Sequence, residues 1–206
     1  MQFPINLNLT GRPVLVVGGG RIAHRKVQQL LACGADVTVL APHVIDELSQ
    51  LNVHVVRRAY VSGDVEGYRL VITATGDVEV DQHIFDDADS RGIWVNSADD
   101  PDRCTFTLPA VHRQGPVMVT VSTGGASPAL SSWIRANLAQ LIGPEFAELA
   151  AELASRRASL HAADFSTEDI DWEPIIRVLA QRKGISFATA TPAPEAAVRE
   201  HAELTR

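Results

Sequence analysis

Cysteine is scarce in this chain. Its two thiols, Cys33 and Cys104, lie far apart, and neither has a C-x-x-C partner. A disulfide scaffold, a zinc ribbon and a redox dithiol are all unsupported. The seven histidines show neither H-x-x-x-H nor H-E-x-x-H spacing, so the common zinc-protease signature is absent. There is no unbroken apolar run of about 18 residues or more, and no transmembrane helix is expected. The opening "MQFPINLNLTGRP" lacks a basic segment followed by a long apolar one, so no signal peptide is visible. Basic residues are outnumbered by acidic ones, 18 to 25, for a net charge of −7. Such a molecule is not drawn as a whole to nucleic acid or to an acidic membrane, and an anionic ligand needs a local cationic or amide-rich patch. These absences lead to the expectation of a cytoplasmic protein with no nucleic-acid or membrane partner. The only tyrosines, Tyr60 and Tyr68, have no lysine four residues on, so the Tyr-x-x-x-Lys pair of short-chain dehydrogenases is missing as well.

What is present is an ordinary globular balance: 206 residues, 46% hydrophobic and 21% charged. That suffices for one domain, or one domain with a smaller appendage, without disulfides. The first half alternates in period. "PVLVV" (13–17) is a continuous apolar run, as in a strand buried on both faces of a parallel sheet. Ile22, Ala23, Val27, Leu30 and Leu31 can share one helix face, and Gly34 stands where a helix is commonly closed. "DVTVLA" (36–41), "NVHVV" (52–56), "RLVITA" (69–74) and "GIWVN" (92–96) read as further strands, with a helix over 78–90 between the last two. This alternation predicts an α/β, Rossmann-type parallel sheet covered by helices.

Near residue 104 the pattern changes. "CTFTLPAVHR" and "PVMVTVS" read as two strands separated only by Gln114-Gly115, which predicts an antiparallel pair. Ser127-Pro128 then opens a helix running to about Ile142, with Ser as cap and Pro in the first turn. Beyond Gly143-Pro144 the chain reads helical to about Lys183, and "FATATPAPEAAVREHAELTR" reads as a loosely ordered tail. The expected division is a Rossmann domain over 1–113, a small α+β segment over 114–145 and a helical domain with a flexible tail over 146–206.

"VLVVGGGRIAHRK" carries the first chemistry. Gly18, Gly20 and Ala23 form G-x-G-x-x-A directly after an apolar strand and at the opening of a helix, the context a dinucleotide fingerprint requires. Gly18 permits the tight turn, Gly20 lets a pyrophosphate approach the backbone, and Ala23 lets the helix pack closely on the sheet. The helix start, Gly19 through Arg21, Ile22 and Ala23, then offers free N–H groups to phosphate. The second strand ends Leu40-Ala41-Pro42, without the acidic residue that normally holds the ribose and without an arginine for a 2′-phosphate. NAD is therefore the expected cofactor, with the ribose held by other groups.

"GIWVNSADDPDRCTFTLP" raises a second question. Asp99, Asp100 and Asp102 follow the carboxyl end of a parallel strand, where ligands bind in such sheets. The same residues also make an ordinary Asp-Asp-Pro turn. The residues alone leave both readings open. Ser127 likewise reads as a helix cap, while Gly124 and Gly125 beside that helix start suggest an amide-rich pocket for carboxylates. Arg103 is a candidate cation, and Arg57-Arg58 reads as a solvated strand end.

Three segments taken together carry a resemblance: "VGGGRIAHRKVQQLLACGADVTVLAP", "VITATGD" and "VNSADDPDRCTFTLPAVHRQGPVMVTVSTGGASPALS". They resemble the precorrin-2 dehydrogenase family, which includes free-standing enzymes and the N-terminal module of sirohaem synthases. The likeness spans about Pro4 to Leu141. It implies oxidation of precorrin-2 to sirohydrochlorin by NAD+ in tetrapyrrole biosynthesis. Some members also insert Fe2+ to give sirohaem, and that step stays open here. The resemblance implies that Asp99, in the N-x-x-D pattern, is the catalytic carboxylate, and that Asn96, Gly124, Gly125, Ser127 and Arg103 lie toward the substrate. It implies that Thr73, Ala74 and Thr75 line the nucleotide site, with Gly76 replacing the Asn or Asp often found there. Asp99 and Ser127 are the implied candidates for handling Fe2+, and a homodimer is implied through the segment after the nucleotide domain. Two rival readings stand beside it: an NAD-binding regulatory module without turnover, and an oxidoreductase of another small substrate.

Overall fold

The computed structural model of the protein describes residues 2–98 and 100–185; Asp99 and residues 186–206, with the expected tail over 187–206, lie outside the described residues. The chain divides into two compact units, residues 1–109 with 122–131, and residues 110–121 with 132–206.

The first unit is a five-stranded sheet in the order β3-β2-β1-β4-β5, every neighbouring pair parallel. Its strands are β1 Pro13–Val17, β2 Asp36–Leu40, β3 His54–Val56, β4 Leu70–Thr73 and β5 Trp94–Ser97. The expected Rossmann-type α/β fold is what forms. β1 is apolar throughout because both its faces are covered. Val14 and Val16 point to one side and pack with Ala23, Val27 and Leu30 of helix α1, Arg21–Leu31. Leu15 and Val17 point to the other side and pack with Ile84 and Ala88 of helix α3, Val78–Asp89. A short helix, α2 Asp46–Ser49, joins the α1 face through fully buried Leu48. The apolar periodicity did not announce it.

The crossover from β3 to β4 contains no helix. Residues 57–69 are irregular, and their hydrophobic anchor is fully buried Val65 on the α3 face. Carboxylates hold the rest. The guanidinium of Arg58 grips both oxygens of Asp64, at 2.5 and 2.6 Å, and Val61 N–H donates to the same group at 2.9 Å. Arg58, read as a solvated strand end, is therefore a bidentate partner. Asp87 on α3, only 7% exposed, accepts from Tyr60 Oη–H, from Gly63 N–H at 2.8 Å, from Ser62 Oγ–H at 3.2 Å and from Arg91. Burial pushes the Asp87 carboxyl up, but the Tyr60, Gly63 and Ser62 hydrogen bonds and the Arg91 charge outweigh it and hold the group below its ordinary value.

After β5 the chain does not run straight into a strand over 104–113. Cys104 makes one isolated bridge to Asn96, and Thr105 ties back to Val95 through N–H to carbonyl at 2.9 Å and Oγ accepting at 2.8 Å. Pro109 has no N–H to continue a ladder. The strand starts only at β6, Ala110–Gln114, which pairs antiparallel with β7, Val117–Val121. Helix α4, Pro128–Leu141, follows. The second unit continues with α5, Pro144–Ala162, and α6, Trp172–Arg182, whose Leu149, Leu179 and the following Ile185 form its own core. The single helical stretch expected to Lys183 is broken at 163–171. Asp164 adopts a left-handed φ of 57°, and Phe165 N–H closes on Leu160 O at 3.0 Å.

The Asp87 network fixes a pH dependence. Its folded-state carboxyl lies below the unfolded value of about 3.9. The stabilisation is thus complete well above that pH and is lost as pH falls through the folded value. Replacing Asp87 with Asn should cost about 2–4 kcal/mol in urea unfolding at neutral pH and flatten the acid limb of the stability profile. An unchanged midpoint would show the network to be decorative.

Candidate functional site

The order β3-β2-β1-β4-β5 reverses direction between β1 and β4. Ligands of open parallel sheets bind beyond the carboxyl ends of the strands at such a point. The turn Gly18–Gly20 sits there. Gly18 N–H donates to Leu40 O at 2.9 Å, and Gly19 O accepts from Ile45 N–H at 3.0 Å. Both glycines are needed for close approach. A Cβ on Gly18, whose φ is 131°, would lie 2.2 Å from Ala74 O, and one on Gly19 would lie 1.9 Å from His43 O. A Cβ on Gly20 would meet nothing within 4 Å. The first two glycines thus face protein, and the third faces open space.

Helix α1 begins at Arg21 with no side-chain cap on its N-terminus and no acid in its first turn. Ala23 is fully buried against the sheet, while Arg21 and Ile22 are exposed. Uncapped amides and the positive end of a helix suit a phosphate. The residues therefore fit a dinucleotide pyrophosphate, and the open side of Gly20 is where it fits. No carboxylate stands at the end of β2, where Leu40 and Ala41 are both buried.

The segment after β4 divides its tasks. Ala74 N–H continues the sheet to Val17 O at 2.8 Å, and its carbonyl faces Gly18. Thr75 Oγ–H donates to buried Asp81 at 2.6 Å and so turns inward. Gly76, at φ 74°, turns the chain so that Asp77 caps α3, accepting from Glu79 N–H at 3.0 Å and Val80 N–H at 3.2 Å. The position without a side chain is thus followed by one whose carboxylate is committed to the helix.

Two buried side-chain oxygens lack a hydrogen-bond partner among the described residues: Thr73 Oγ1 and Ser97 Oγ. They are neighbours in register at the carboxyl ends of β4 and β5. Buried hydroxyls are normally satisfied, and an unsatisfied pair at this edge marks where hydrogen bonding is still on offer. Thr73 was expected in the site. Ser97 was not, because the strand runs one residue further than its apolar pattern. Its pairing with Thr73 is the signal that exposes it, and that signal needs the register.

The loop after β5 is built round the side chains of Asn96 and Cys104. Asn96, 6% exposed, donates its amide to Phe106 O at 3.0 Å and to Cys104 Sγ at 3.3 Å. Expected toward the substrate, its amide nitrogen braces this loop. Cys104 Sγ also accepts from Ser97 N–H at 3.3 Å and donates to Asp100 O at 3.2 Å. Burial pushes the Cys104 thiol up, which keeps it protonated and a poor nucleophile at neutral pH. Asp100 accepts from Asp102 N–H at 2.8 Å and pairs with Arg103 at 3.0 Å, closing one 3₁₀ turn, Pro101–Arg103. Arg103 also donates to Gln82 of α3 at 2.9 Å. Asp100 and Asp102 therefore belong to the turn, and the charge of Arg103 is already matched.

The second glycine turn is less open than its composition suggests. Gly124 and Gly125 have φ of 63° and 90°. Of the four amides in 124–127, three are donated inside the turn: Gly124 to Ser122 Oγ at 3.1 Å, Ala126 to Thr123 O at 3.1 Å and Ser127 to Thr123 Oγ1 at 3.0 Å. Ser127 Oγ accepts from Leu130 N–H at 3.2 Å, which is the expected cap.

Comparison with known proteins agrees with this geometry. Residues 5–110 match a family model described as putative NAD(P)-binding, and residues 114–141 match one described as sirohaem biosynthesis protein central. A siroheme synthase of Methylobacillus flagellatus is 36% identical over 182 residues, covering 85% of this chain and 39% of that one. A siroheme synthase of Methylococcus capsulatus is 43% identical over 161 residues, covering 75% of this chain and 34% of that one. The chain thus spans less than half the length of these relatives. The solved structure of SirC, a precorrin-2 dehydrogenase, superposes with a TM-score of 0.71 at 26% identity, covering 89% of this chain and 99% of that one. The chain belongs to the family of NAD(P)-binding sirohaem biosynthesis proteins that includes precorrin-2 dehydrogenase.

Proposed function

We propose that the protein oxidises precorrin-2 to sirohydrochlorin with NAD+, in the cytoplasm, on the way to sirohaem. The observation that carries this is the Gly18–Gly20 turn, packed against the carbonyls of Ala74 and His43 at the β1/β4 reversal, with only its Gly20 side left open. When bound there, NAD+ supplies the hydride acceptor. The amides at the start of α1 hold its pyrophosphate, with Arg21 and Ile22 flanking them. Ala74 sets the wall behind the turn, and the free Thr73 and Ser97 hydroxyls offer hydrogen bonds at the adjoining edge.

Loss of hydride must be matched by loss of a proton, and Asp99 is the group assigned to take it. Support comes from its neighbour Asp100, whose carboxylate is committed to the 3₁₀ turn through Asp102 N–H and Arg103. The same carboxylate would accept pyrrolic protons if Fe2+ enters the product, and Ser127 is the second candidate for handling the ion; the macrocycle nitrogens then serve as the metal ligands. Gly124 and Gly125 let the chain approach the substrate's carboxylates closely, while Asn96 and Arg103 act by positioning the loop that bears Asp99. The domain assignment is a nucleotide-binding domain over 1–113, a dimerisation segment over 114–145 and a helical domain from 146. Trp133 and Leu141, 65% and 62% exposed on α4, suit burial between two copies.

Gly20→Ala separates binding from folding. Its extended φ of −93° tolerates a side chain, so the melting temperature should stay within about 1 °C, while the NAD dissociation constant rises at least about tenfold by calorimetry, roughly 1.4 kcal/mol. Unchanged affinity would remove the phosphate assignment. Asp99→Asn should retain NADH binding and lose about 100-fold or more in the rate at which NADH appears with precorrin-2 and NAD+; near-normal turnover would remove the base. Trp133→Arg should convert a dimer to a monomer in sedimentation, and a wild-type chain already monomeric would end the dimer proposal.

A further inference from the structure

The amino-terminal edge of the sheet carries a groove of about 580 Å³, a size common for small-molecule sites. It lies at the opposite end of the strands from the Gly18–Gly20 turn. The five residues of β1 separate the two by about 17 Å. Its lining includes Arg12, Arg69 and Arg91 and contains no Asp or Glu. That is unusual in a chain whose net charge is −7.

Strand register explains why the arginines converge. Val14 of β1 pairs with Leu70 of β4, and Leu70 pairs with Trp94 of β5. One residue earlier, Arg69 N–H donates to Pro13 O at 3.0 Å, which brings the starts of β1 and β4 side by side. Arg91 arrives from the end of α3. It is already neutralised by Asp87 and reaches Glu66 at 3.4 Å. Arg12 and Arg69 form no ion pair and no side-chain hydrogen bond among the described residues. Two guanidinium groups that line one groove without a counter-charge repel each other, and an anion bound there relieves that repulsion. Apart from Asn8, the rest of the lining is apolar and aromatic. Trp94 is 40% exposed there although it begins a core strand, and Tyr68 flanks it. An exposed indole beside free arginines offers a face for a planar group and a fork for its acidic oxygens.

We propose that this groove is a second binding site, distinct from the nucleotide turn, for a small organic anion: a planar apolar body bearing at least one phosphate or carboxylate group. Arg12 and Arg69 bind the anionic group, and Trp94 stacks on the body. Arg91, anchored by Asp87, connects the groove to α3, whose other end is capped by Asp77 after the wall of the nucleotide turn.

The test uses the full chain saturated with NAD and two aromatic probes, phenyl phosphate and benzene-1,3,5-tricarboxylate, with inorganic phosphate as the third arm. At least one aromatic probe should bind with a dissociation constant below about 1 mM and quench tryptophan fluorescence. The phosphate and carboxylate arms tell which anionic group is preferred. The double variant Arg12→Gln/Arg69→Gln should weaken that binding at least tenfold, with NADH affinity unchanged. Both side chains are exposed, so the variant should fold, and its circular dichroism checks that. Arg57→Gln, a cationic control elsewhere on the surface, should bind as wild type. Failure of both aromatic probes to saturate overturns the site, as does equal binding by the double variant. Inorganic phosphate binding as tightly as phenyl phosphate overturns the role given to Trp94.

Discussion

The first unit depends on one steric constraint, the passage of the β1–α1 turn between two carbonyl oxygens. Ala74 O on one side and His43 O on the other leave no room for a side chain at Gly18 or Gly19. Because the backbone itself fills that gap, three segments that follow different strands are held to a single spacing. The turn then sets where α1 begins, and Ala23, with no more than a methyl group, lets the helix lie directly on β1 and β2. A ligand-binding edge results from packing: the chain is pressed together wherever it meets itself and left open at Gly20.

The two faces of the sheet are secured by different physics. The α1 face is a hydrophobic layer of Val, Leu and Ala, extended by Leu48 and Phe106. The α3 face pairs a hydrophobic centre at Ile84, Ala88 and Val65 with a border of carboxylates and arginines. The loop after β5 uses a third device. There a half-buried thiol acts as the shared partner of Asn96, Ser97 and Asp100. Cys104 thereby does the work of a small polar hub while its raised pKa keeps it unreactive.

Much of this was legible in the sequence, for identifiable reasons. β1 showed itself because a strand covered on both faces is apolar at every position, and the glycine loop showed itself because its chemistry is local. The antiparallel pair was legible from Gln114-Gly115, since two residues can only reverse the chain. What failed to show depended on distant partners. The strand expected from Cys104 dissolved into a latch because Thr105 and Asn96 bond across ten residues. The helix expected to continue to Lys183 broke at Asp164, where no proline or glycine marks the stop. Ser97 became noticeable only once its register with Thr73 was known. The amides of 124–127 looked available by composition, yet hydroxyls from Thr123 and Ser122 had claimed two of them.

The helix-free crossover between β3 and β4 has a consequence for motion. It spans from the sheet's edge strand to the neighbour of β1, yet apart from Val65, Tyr60 and Tyr68 it has no hydrophobic side chain in the α3-face core among the described residues. Segments of that kind open locally at a fraction of the global unfolding free energy. Backbone amides of 57–69 should then exchange with solvent while β1 and β4 remain protected, with Gly63 lagging because its N–H ends on Asp87. The sheet would remain intact while this strap opens, so such opening would fall on the α3 face.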